Sequence, residues 1–280
     1  MNRALLVGIN AYPSSPLEGC VNDVTDMAEF LVSNCAFDRD SIRLVTDGRA
    51  TKAAIVERLG WLLSGLRKGD RVLFHYSGHG AQMPTRNAQG KVDRLDEVIC
   101  PVDFDWTDAH AIRDKDFNRM FSEVPEGVEF VWVSDSCFSG DLARAFPRLV
   151  DGKVARPKTL TPPADINWRL QTAKAKNIKA MGFFHSVDNL NVALISGCRK
   201  DQTSADAVFA GRPNGALTYY LLKTLEKNGK ISVMKAVEMV RSALSKAGYD
   251  QQPQVEGSKD LANVPFLAQG ENARAATRGA

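Results

Sequence analysis

Short apolar runs alternate with amphipathic stretches along most of the chain. The runs are rich in Val, Ile and Leu and predict buried strands at 3–9, 41–46, 71–76, 128–134 and 192–197. Apolar residues with helical spacing predict helices within 22–34, 51–66, 114–124, 214–230 and 232–248. Strands that alternate with helices form a parallel sheet covered on both faces. The pattern therefore predicts an α/β fold, with a mostly parallel sheet of about six strands flanked by helices.

The stretch from 141 to 190 lacks this regular pattern. Residues 144–179 contain nine basic residues and four prolines, which favours a long exposed connection. Connections of this length within a compact domain are usually functional. We expect one domain over residues 1–269, divided into 1–143, a basic linker at 144–190, and 191–269. Residues 270–280 have no apolar period, and we expect a flexible tail there.

Composition and charge exclude several classes of protein. Hydrophobic residues make up 44% and charged residues 25%, as in an ordinary globular domain. The net charge of +3 comes with no long basic run, so we expect no nucleic-acid partner. The first apolar run is too short to span a bilayer and has no signal-peptide cleavage site, so we expect no membrane association.

The cysteines indicate reduced thiols. There are five of them, without any CxxC pair: Cys20, Cys35, Cys100, Cys137 and Cys198. An odd number of widely spaced cysteines favours neither a disulfide framework nor a zinc cluster. We therefore expect a cytoplasmic protein.

Two motifs follow predicted strands and could place a thiol beside an imidazole. His79 stands in "HYSGHG" after the strand at 71–76, and Cys137 stands in "SDSCFSG" after the strand at 128–134. Ligands of open parallel sheets bind at the carboxyl ends of the strands, so both side chains are expected at one edge. An imidazole makes a neighbouring thiol reactive by taking its proton. The backbone N–H groups of Gly80 and Cys137 could hold the oxyanion formed when an amide carbonyl is attacked.

Each residue also has a structural interpretation. Cys137 alone would be interpreted as a small buried core residue, and His79 alone as a residue packed in a turn. A metal pair of His75 and His79 is disfavoured, because four-residue spacing aligns ligands on helices and not across a strand and a loop. The combination of both motifs favours catalysis.

The chain resembles the caspase-like cysteine peptidases, and within them the metacaspases and their prokaryotic relatives, the orthocaspases. The resemblance is carried by "HYSGHG", "DSCFSG", "GINAYPSSPLEGCVND", "DEVICPVDF", "ISGCRKDQTSAD", "NGALTYYLL" and "GYDQQPQVEG". It implies a caspase-hemoglobinase-like three-layer fold, in which 1–143 corresponds to a large subunit and 191–269 to a small one. It also implies a monomer.

The resemblance implies roles for individual residues. Cys137 would be the nucleophile and His79 the general base and later the acid. The primary specificity pocket would be lined by Cys20, Asp23, Ser77 and Asp135. Two carboxylates in a partly desolvated pocket favour a Lys or Arg side chain and repel Asp by several kcal/mol. Asp135 is also expected beside the thiol because residues i and i+2 of an extended segment point the same way.

A calcium site is implied only in part. Asp96 and Asp114 match the family's calcium ligands, whereas Lys115 and Arg144 stand where acidic residues are usual. Residues 93–116 hold eight carboxylates, which could supply the oxygen ligands that calcium prefers or form a solvated face. No organic cofactor is expected, and a requirement for calcium stays open.

The resulting hypothesis is a cysteine endopeptidase that hydrolyses protein or peptide substrates after Arg or Lys through an acyl-enzyme. The basic linker is either a plain surface loop or a site of self-processing. One alternative is a thiol acyl-transfer enzyme of different specificity, and another is a catalytically silent regulatory or scaffold member of the family.

Overall fold

The computed structural model describes residues 1–138, 147–150, 152–178, 187, 189–199 and 202–267. The strands are β1 (Asn2–Gly8), β2 (Ile42–Thr46), β3 (Arg71–Ser77), β4 (Gly80–Arg86), β5 (Val92–Ile99), β6 (Ile112–Arg113), β7 (Glu129–Asp135), β8 (Arg148–Val150), β9 (Lys153–Pro157), β10 (Ala193–Ser196), β11 (Ala205–Phe209), β12 (Arg212–Gly215) and β13 (Gln254–Gly257). The helices are α1 (Cys20–Cys35), α2 (Lys52–Leu63), α3 (Asp114–Phe121), α4 (Ala164–Ala175), α5 (Ala216–Asn228), α6 (Val233–Lys246) and α7 (Lys259–Asn263).

A six-stranded sheet with the order β13-β10-β7-β3-β1-β2 forms the centre of the molecule. The five strands predicted from the apolar runs are its five parallel members, with ends that differ by at most one residue. The sixth, β13, is antiparallel to β10 and was not predicted. Its four residues are all half-buried, so they lack the continuous apolar run that marks a central strand.

Side chains of the central sheet alternate between two cores. Phe74 and Trp132 face α2 and α3, where their rings lie 5.7 Å apart, and Leu73 and Val133 face α1, α5 and α6. This period of two follows from the strand geometry, and it explains why the central strands are apolar on both faces. The predicted three-layer α/β fold is confirmed.

Two smaller sheets extend this centre. One has the order β12-β11-β9-β8 and the other the order β4-β5-β6, and the patterning had predicted neither of them. The β4–β5 hairpin mixes polar and apolar residues on strands whose outer halves are mostly half-buried, so its sequence lacks the apolar runs of the centre. Both small sheets lie against the edge where β3 and β7 end.

The basic linker is not a plain exposed loop. Within the predicted linker, residues 148–150 and 153–157 form β8 and β9, and residues 164–175 form α4. Lys158, one of the nine basic residues, is completely buried, and α4 packs Ile166, Leu170 and Ala173 against Leu95. The prediction of an exposed connection is therefore wrong for these residues. Residues 139–146, 179–186 and the predicted tail at 270–280 lie outside the described residues.

None of the helices in the described ranges has the length and apolar character needed to cross a membrane.

Candidate active site

His79 and Cys137 follow neighbouring parallel strands. The β3–β7 register pairs Ser77 with Asp135, and each motif residue lies two positions beyond this pair. The backbones are in close contact here, since a Cβ on Gly80 would lie 2.5 Å from the carbonyl oxygen of Cys137. The structure therefore brings the two motifs to one edge of the sheet, and glycine is required at position 80.

The imidazole of His79 is held in one orientation. Its Nε2 lies 2.7 Å from the carbonyl oxygen of Ser15, and its ring centroid lies 4.5 Å from that of Tyr12. Its Nδ1 is buried and makes no well-aligned hydrogen bond within the described residues, although the backbone carbonyl of Lys158 lies close to the ring. Burial lowers the pKa of His79 to about 4, so the ring is neutral at pH 7. With Nε2–H donating to Ser15, Nδ1 is the nitrogen that can accept a proton.

The Cys137 thiol is 1% exposed and donates a hydrogen bond to the carbonyl oxygen of Gln202, at 2.8 Å. The backbone N–H of Cys137 points to another carbonyl oxygen, that of Lys158, at 3.1 Å. The backbone N–H of Gly80 donates to this same oxygen, also at 3.1 Å. The two predicted oxyanion donors thus converge on one carbonyl oxygen of the chain itself.

An acidic pocket next to the thiol holds the side chain of Lys158. The Lys158 Nζ lies 3.1 Å from Asp23 Oδ2, 3.3 Å from Asp135 Oδ1 and 2.9 Å from Ser77 Oγ. Cys20 is fully buried in the same pocket, where its thiol interacts with Ser77. The four residues predicted to line a specificity pocket therefore surround one lysine.

Burial and charge determine the ionisation of this acidic pocket. Burial lowers and the facing carboxylates raise the pKa of Lys158, and the net result is a pKa well above the ordinary value. Burial raises the pKa of Asp135, but Lys158 and hydrogen bonds from Ser204 and Thr218 outweigh it, so the pKa is lowered. Burial dominates at Asp23 and raises its pKa. A cation is thus stabilised in a place where an uncharged or acidic side chain would leave buried carboxylates unpaired.

The C-terminal third completes the acidic pocket with residues that the sequence reasoning had not assigned. Asp135 accepts hydrogen bonds from Ser204 Oγ at 2.6 Å and from Thr218 Oγ1 at 2.8 Å. Asp23 accepts from Asn214 Nδ2 at 3.1 Å and from the backbone N–H of Gly215 at 2.8 Å. These residues stand in the quoted segments "ISGCRKDQTSAD" and "NGALTYYLL", so the resemblance marked the segments without giving the roles.

The residues around Lys158 cross the edge of the sheet as an extended strand. Arg156 and Pro157 pair antiparallel with Asp206 and Ala205 of β11, and the N–H of Lys158 donates to Ser204 O at 3.0 Å. Beyond Lys158, the N–H of Leu160 donates to Gly80 O at 3.2 Å. The Arg156 guanidinium forms an ion pair with Glu18 at 2.9 Å. Residues 156–160 therefore have backbone partners on both sides of the Lys158–Thr159 bond, an arrangement typical of β-augmentation by a bound peptide.

The predicted calcium ligands lie elsewhere, on β5 and α3. Asp96 is fully buried and pairs with Arg94 at 2.6 Å, Arg113 at 2.8 Å and Lys115 at 3.6 Å. Burial and the neighbouring Asp96 raise the pKa of Asp114 to about 6. The described residues include no group of three or more His, Cys, Asp or Glu side chains placed to hold a metal ion. Because three cationic side chains already surround Asp96, these residues do not fit a calcium ion.

Comparisons with known proteins agree with this architecture. A crystal structure of a protein from Geobacter sulfurreducens superposes with a TM-score of 0.69 at 23% identity, covering 96% of this chain and 99% of that one. The structure of caspase-1 from Spodoptera frugiperda superposes with a TM-score of 0.58 at 9% identity, covering 96% of this chain and 90% of that one. The fold is that of the caspase-like proteins.

Sequence comparison narrows the class. The model of the metacaspase peptidase C14 domain matches residues 2–145. The chain is 31% identical to Metacaspase-1A of Aspergillus oryzae over 96% of this chain and 71% of that protein. It is 32% identical to Metacaspase-1 of Sclerotinia sclerotiorum over 95% of this chain and 67% of that protein. The chain belongs to the metacaspase family of cysteine peptidases, as the motifs predicted.

Proposed function

We propose that the protein is an endopeptidase that cleaves after Lys or Arg, with Cys137 as nucleophile and His79 as general base. The observation that carries this proposal is the binding of Lys158, whose side chain fills the acidic pocket while its carbonyl oxygen accepts from Gly80 and Cys137. A peptide bond after a basic residue would occupy the same contacts.

The proposed mechanism uses the groups at the edge of the sheet. Nδ1 of His79 takes the thiol proton, and the sulfur of Cys137 attacks the carbonyl carbon of the basic residue. The N–H groups of Gly80 and Cys137 stabilise the oxyanion, which then collapses as the protonated His79 gives its proton to the leaving amine. Water, deprotonated by His79, hydrolyses the thioester and releases the carboxylate product.

The negative charge of the acidic pocket supports a Lys or Arg residue immediately before the cleaved bond. Asp23 and Asp135 are fully buried, and an Asp side chain between them would bring a third negative charge into a buried site. Like charges in contact within such an interface cost several kcal/mol. Both Lys and Arg carry the required positive charge, and the observed occupant is a lysine.

We further propose that the chain processes itself at the Lys158–Thr159 bond. The carbonyl of Lys158 already accepts from both proposed oxyanion donors, and the residues on either side are aligned by β11 and Gly80. A bond held in this way reacts without the entropy cost of a second molecule. The same contacts block access to the thiol, so the uncut segment is expected to inhibit cleavage of other proteins.

The specificity is tested with fluorogenic peptides that carry the chain's own sequence, Ala-Arg-Pro-Lys. Peptides that end in Arg, Gln, Asn or Asp instead of Lys are matched controls, and Cys137→Ala serves as the inactive enzyme. We expect hydrolysis after Lys and Arg only. Cleavage after Asp or Asn would contradict the assignment of the acidic pocket and favour a thiol enzyme of different specificity.

Self-processing is tested by gel analysis and by sequencing the new N-terminus. We expect a fragment that begins at Thr159 in the wild type and in Lys158→Arg, and no such fragment in Lys158→Gln or Cys137→Ala. Lys176→Gln is the control, because it removes an exposed lysine of the same region. A purified chain that hydrolyses neither the peptides nor its own Lys158–Thr159 bond would favour a catalytically silent role.

A further inference from the structure

A second cysteine lies beside the proposed nucleophile. Strands β7 and β10 are parallel neighbours whose register pairs Ser134 with Ser196, and the N–H of Gly197 donates to Ser134 O at 2.9 Å. Cys137 and Cys198 each lie two residues beyond the end of their strand, β7 at Asp135 and β10 at Ser196. The topology therefore brings two thiols from separate parts of the chain to the same edge of the sheet.

The two sulfur atoms share one hydrogen-bond acceptor. Cys137 Sγ lies 2.8 Å and Cys198 Sγ lies 3.4 Å from the carbonyl oxygen of Gln202. A hydrogen bond with the Cys137 thiol, together with burial, raises the pKa of Cys198. Gly197, which precedes Cys198, is tightly packed, since a Cβ there would lie 2.6 Å from Ser204 Oγ. The two thiols are close enough to share one acceptor and to interact by a hydrogen bond.

The other cysteine of the site, Cys20, has different neighbours from those of Cys198. Cys20 interacts with Ser77 inside the acidic pocket and faces Lys158. Cys198 is 5% exposed and contacts the Cys137 thiol itself. No step of the proposed peptidase mechanism uses Cys198.

We propose that Cys198 is a resolving thiol, which forms a reversible disulfide with Cys137 when a peroxide oxidises the nucleophile. The inference concerns regulation of the same site and rests on Cys137 as the proposed nucleophile. Its chemical product can nevertheless be detected without any assay of peptidase activity.

The reaction balances with hydrogen peroxide as the oxidant. The Cys137 thiol gives its proton to His79, the thiolate attacks one peroxide oxygen and the O–O bond breaks. The departing hydroxide takes that proton from His79 and leaves as water, so that Cys137 becomes a sulfenic acid. The sulfur of Cys198 then attacks the sulfenic sulfur, the S–S bond forms, and the S–O bond breaks. The hydroxide leaves with the Cys198 proton as a second water, so two thiols lose two electrons and the peroxide gains them.

The disulfide would protect the nucleophile. A sulfenic acid without a nearby thiol is oxidised further to a sulfinic acid, which ordinary thiol reductants cannot reverse. A disulfide between Cys137 and Cys198 stops this sequence and is reopened by thiol exchange. Peroxide should therefore inactivate the wild type reversibly, and a chain without Cys198 irreversibly.

The experiment treats the full chain with hydrogen peroxide and maps its cysteines by mass spectrometry after alkylation. Wild type, Cys198→Ala and Cys198→Ser are compared with Cys35→Ala, which removes a buried cysteine at the end of α1. In the wild type and Cys35→Ala we expect a peptide pair joined through Cys137 and Cys198, two hydrogen masses lighter than the free thiols. In both Cys198 variants we expect sulfinic acid at Cys137 to form at least about tenfold faster than in the wild type.

Activity on Ala-Arg-Pro-Lys amide provides a second readout, with each variant compared with its own reduced sample. Dithiothreitol should restore most activity to oxidised wild type and little to the Cys198 variants. The inference is overturned if no joined peptide forms, if Cys137 resists peroxide, or if the sulfinic acid accumulates equally with and without Cys198. A reduced wild type that is inactive on every peptide would refute the proposed function, while leaving the disulfide result interpretable.

Discussion

Replacing Gly215 by alanine should close the acidic pocket to a basic side chain. A Cβ at this position would lie 2.1 Å from Lys158 Nζ, 2.2 Å from Asp135 Oδ2 and 2.6 Å from Asp23 Oδ2. Ordinary contacts between heavy atoms are about 3.5–4.0 Å. The backbone itself accepts alanine, because Gly215 has φ −71°. The lysine head and both carboxylate oxygens must therefore shift, and because the carboxylates are held by hydrogen bonds from neighbouring side chains, the contacts with the lysine are the ones we expect to be lost.

The expected loss of kcat/KM follows from the ion pairs with Asp23 and Asp135 that the lysine ammonium no longer makes. Removing one partner of a buried, hydrogen-bonded charge pair costs about 2–5 kcal/mol. At about 1.4 kcal/mol for each factor of ten, kcat/KM for a lysine peptide should fall by about 30- to 4000-fold. The added methyl group should also lower the free energy of unfolding by about 1–3 kcal/mol, as overpacking does elsewhere.

The assay measures kcat/KM on Ala-Arg-Pro-Lys amide in chains from which the 156–160 segment has been displaced, and the rate of self-cleavage by gel in the uncut chain. Gly60→Ala is the matched control, since a Cβ there meets no atom within 4 Å. Because the bound segment covers the Cys137 thiol, a small neutral reagent should alkylate Cys137 at least as fast as in the wild type, whereas a collapsed site would slow the reaction. A Gly215→Ala enzyme within about threefold of wild-type kcat/KM would refute the steric argument.

Three further predictions concern charge. Glu18→Arg should lower kcat/KM about 1.4- to fivefold for Ala-Arg-Pro-Lys relative to Ala-Glu-Pro-Lys, because the Arg156–Glu18 pair is half-exposed and such pairs are worth about 0.2–1 kcal/mol. Burial lowers the pKa of His75 from its ordinary value of 6.5 to about 3 in the folded chain. The folded state therefore favours the neutral ring, and this contribution to stability is complete above pH 6.5 and is lost as the pH drops towards 3. Urea unfolding should show that, between pH 7 and pH 4.5, the free energy of unfolding falls by roughly 2–3 kcal/mol more for the wild type than for His75→Gln. An equal fall in both proteins would contradict this prediction. Because Asp96 is surrounded by cations, calcium chelation should change peptide hydrolysis less than about twofold, and strong activation by calcium would disprove that argument.

The central sheet could be predicted because its signal is local. Residues 71–77 and 129–135 are apolar on both faces, as strands covered by helices on both sides must be. The position of His79 and Cys137 at one edge then follows from the direction of parallel strands. The pocket residues were available only through the resemblance, apart from Asp135, which the alternation of an extended segment places beside Cys137.

The role of the linker could not be predicted, because it depends on contacts with distant parts of the chain. Lys158 is one of several lysines in a proline-containing basic stretch, and nothing in its immediate neighbours indicates burial. Its position depends on the pairing of Arg156 and Pro157 with β11, nearly fifty residues further along the chain. Likewise, the contact between Cys137 and Cys198 depends on the register of β7 and β10 and not on either motif.

Under the proposed function, one set of contacts in the acidic pocket would hold both Lys158 and the basic residue of a substrate. Asp23 and Asp135 are fully buried, so an empty pocket must admit water or protonate a carboxylate, and either change costs free energy. Lys158 removes this cost in the resting chain, and it competes with external substrates at the high effective concentration of a tethered group. A substitution that weakens binding of a substrate lysine also weakens binding of Lys158. Measured losses of kcat/KM in the uncut enzyme therefore underestimate the recognition energy, and pocket variants should be compared in chains from which the 156–160 segment has already been displaced.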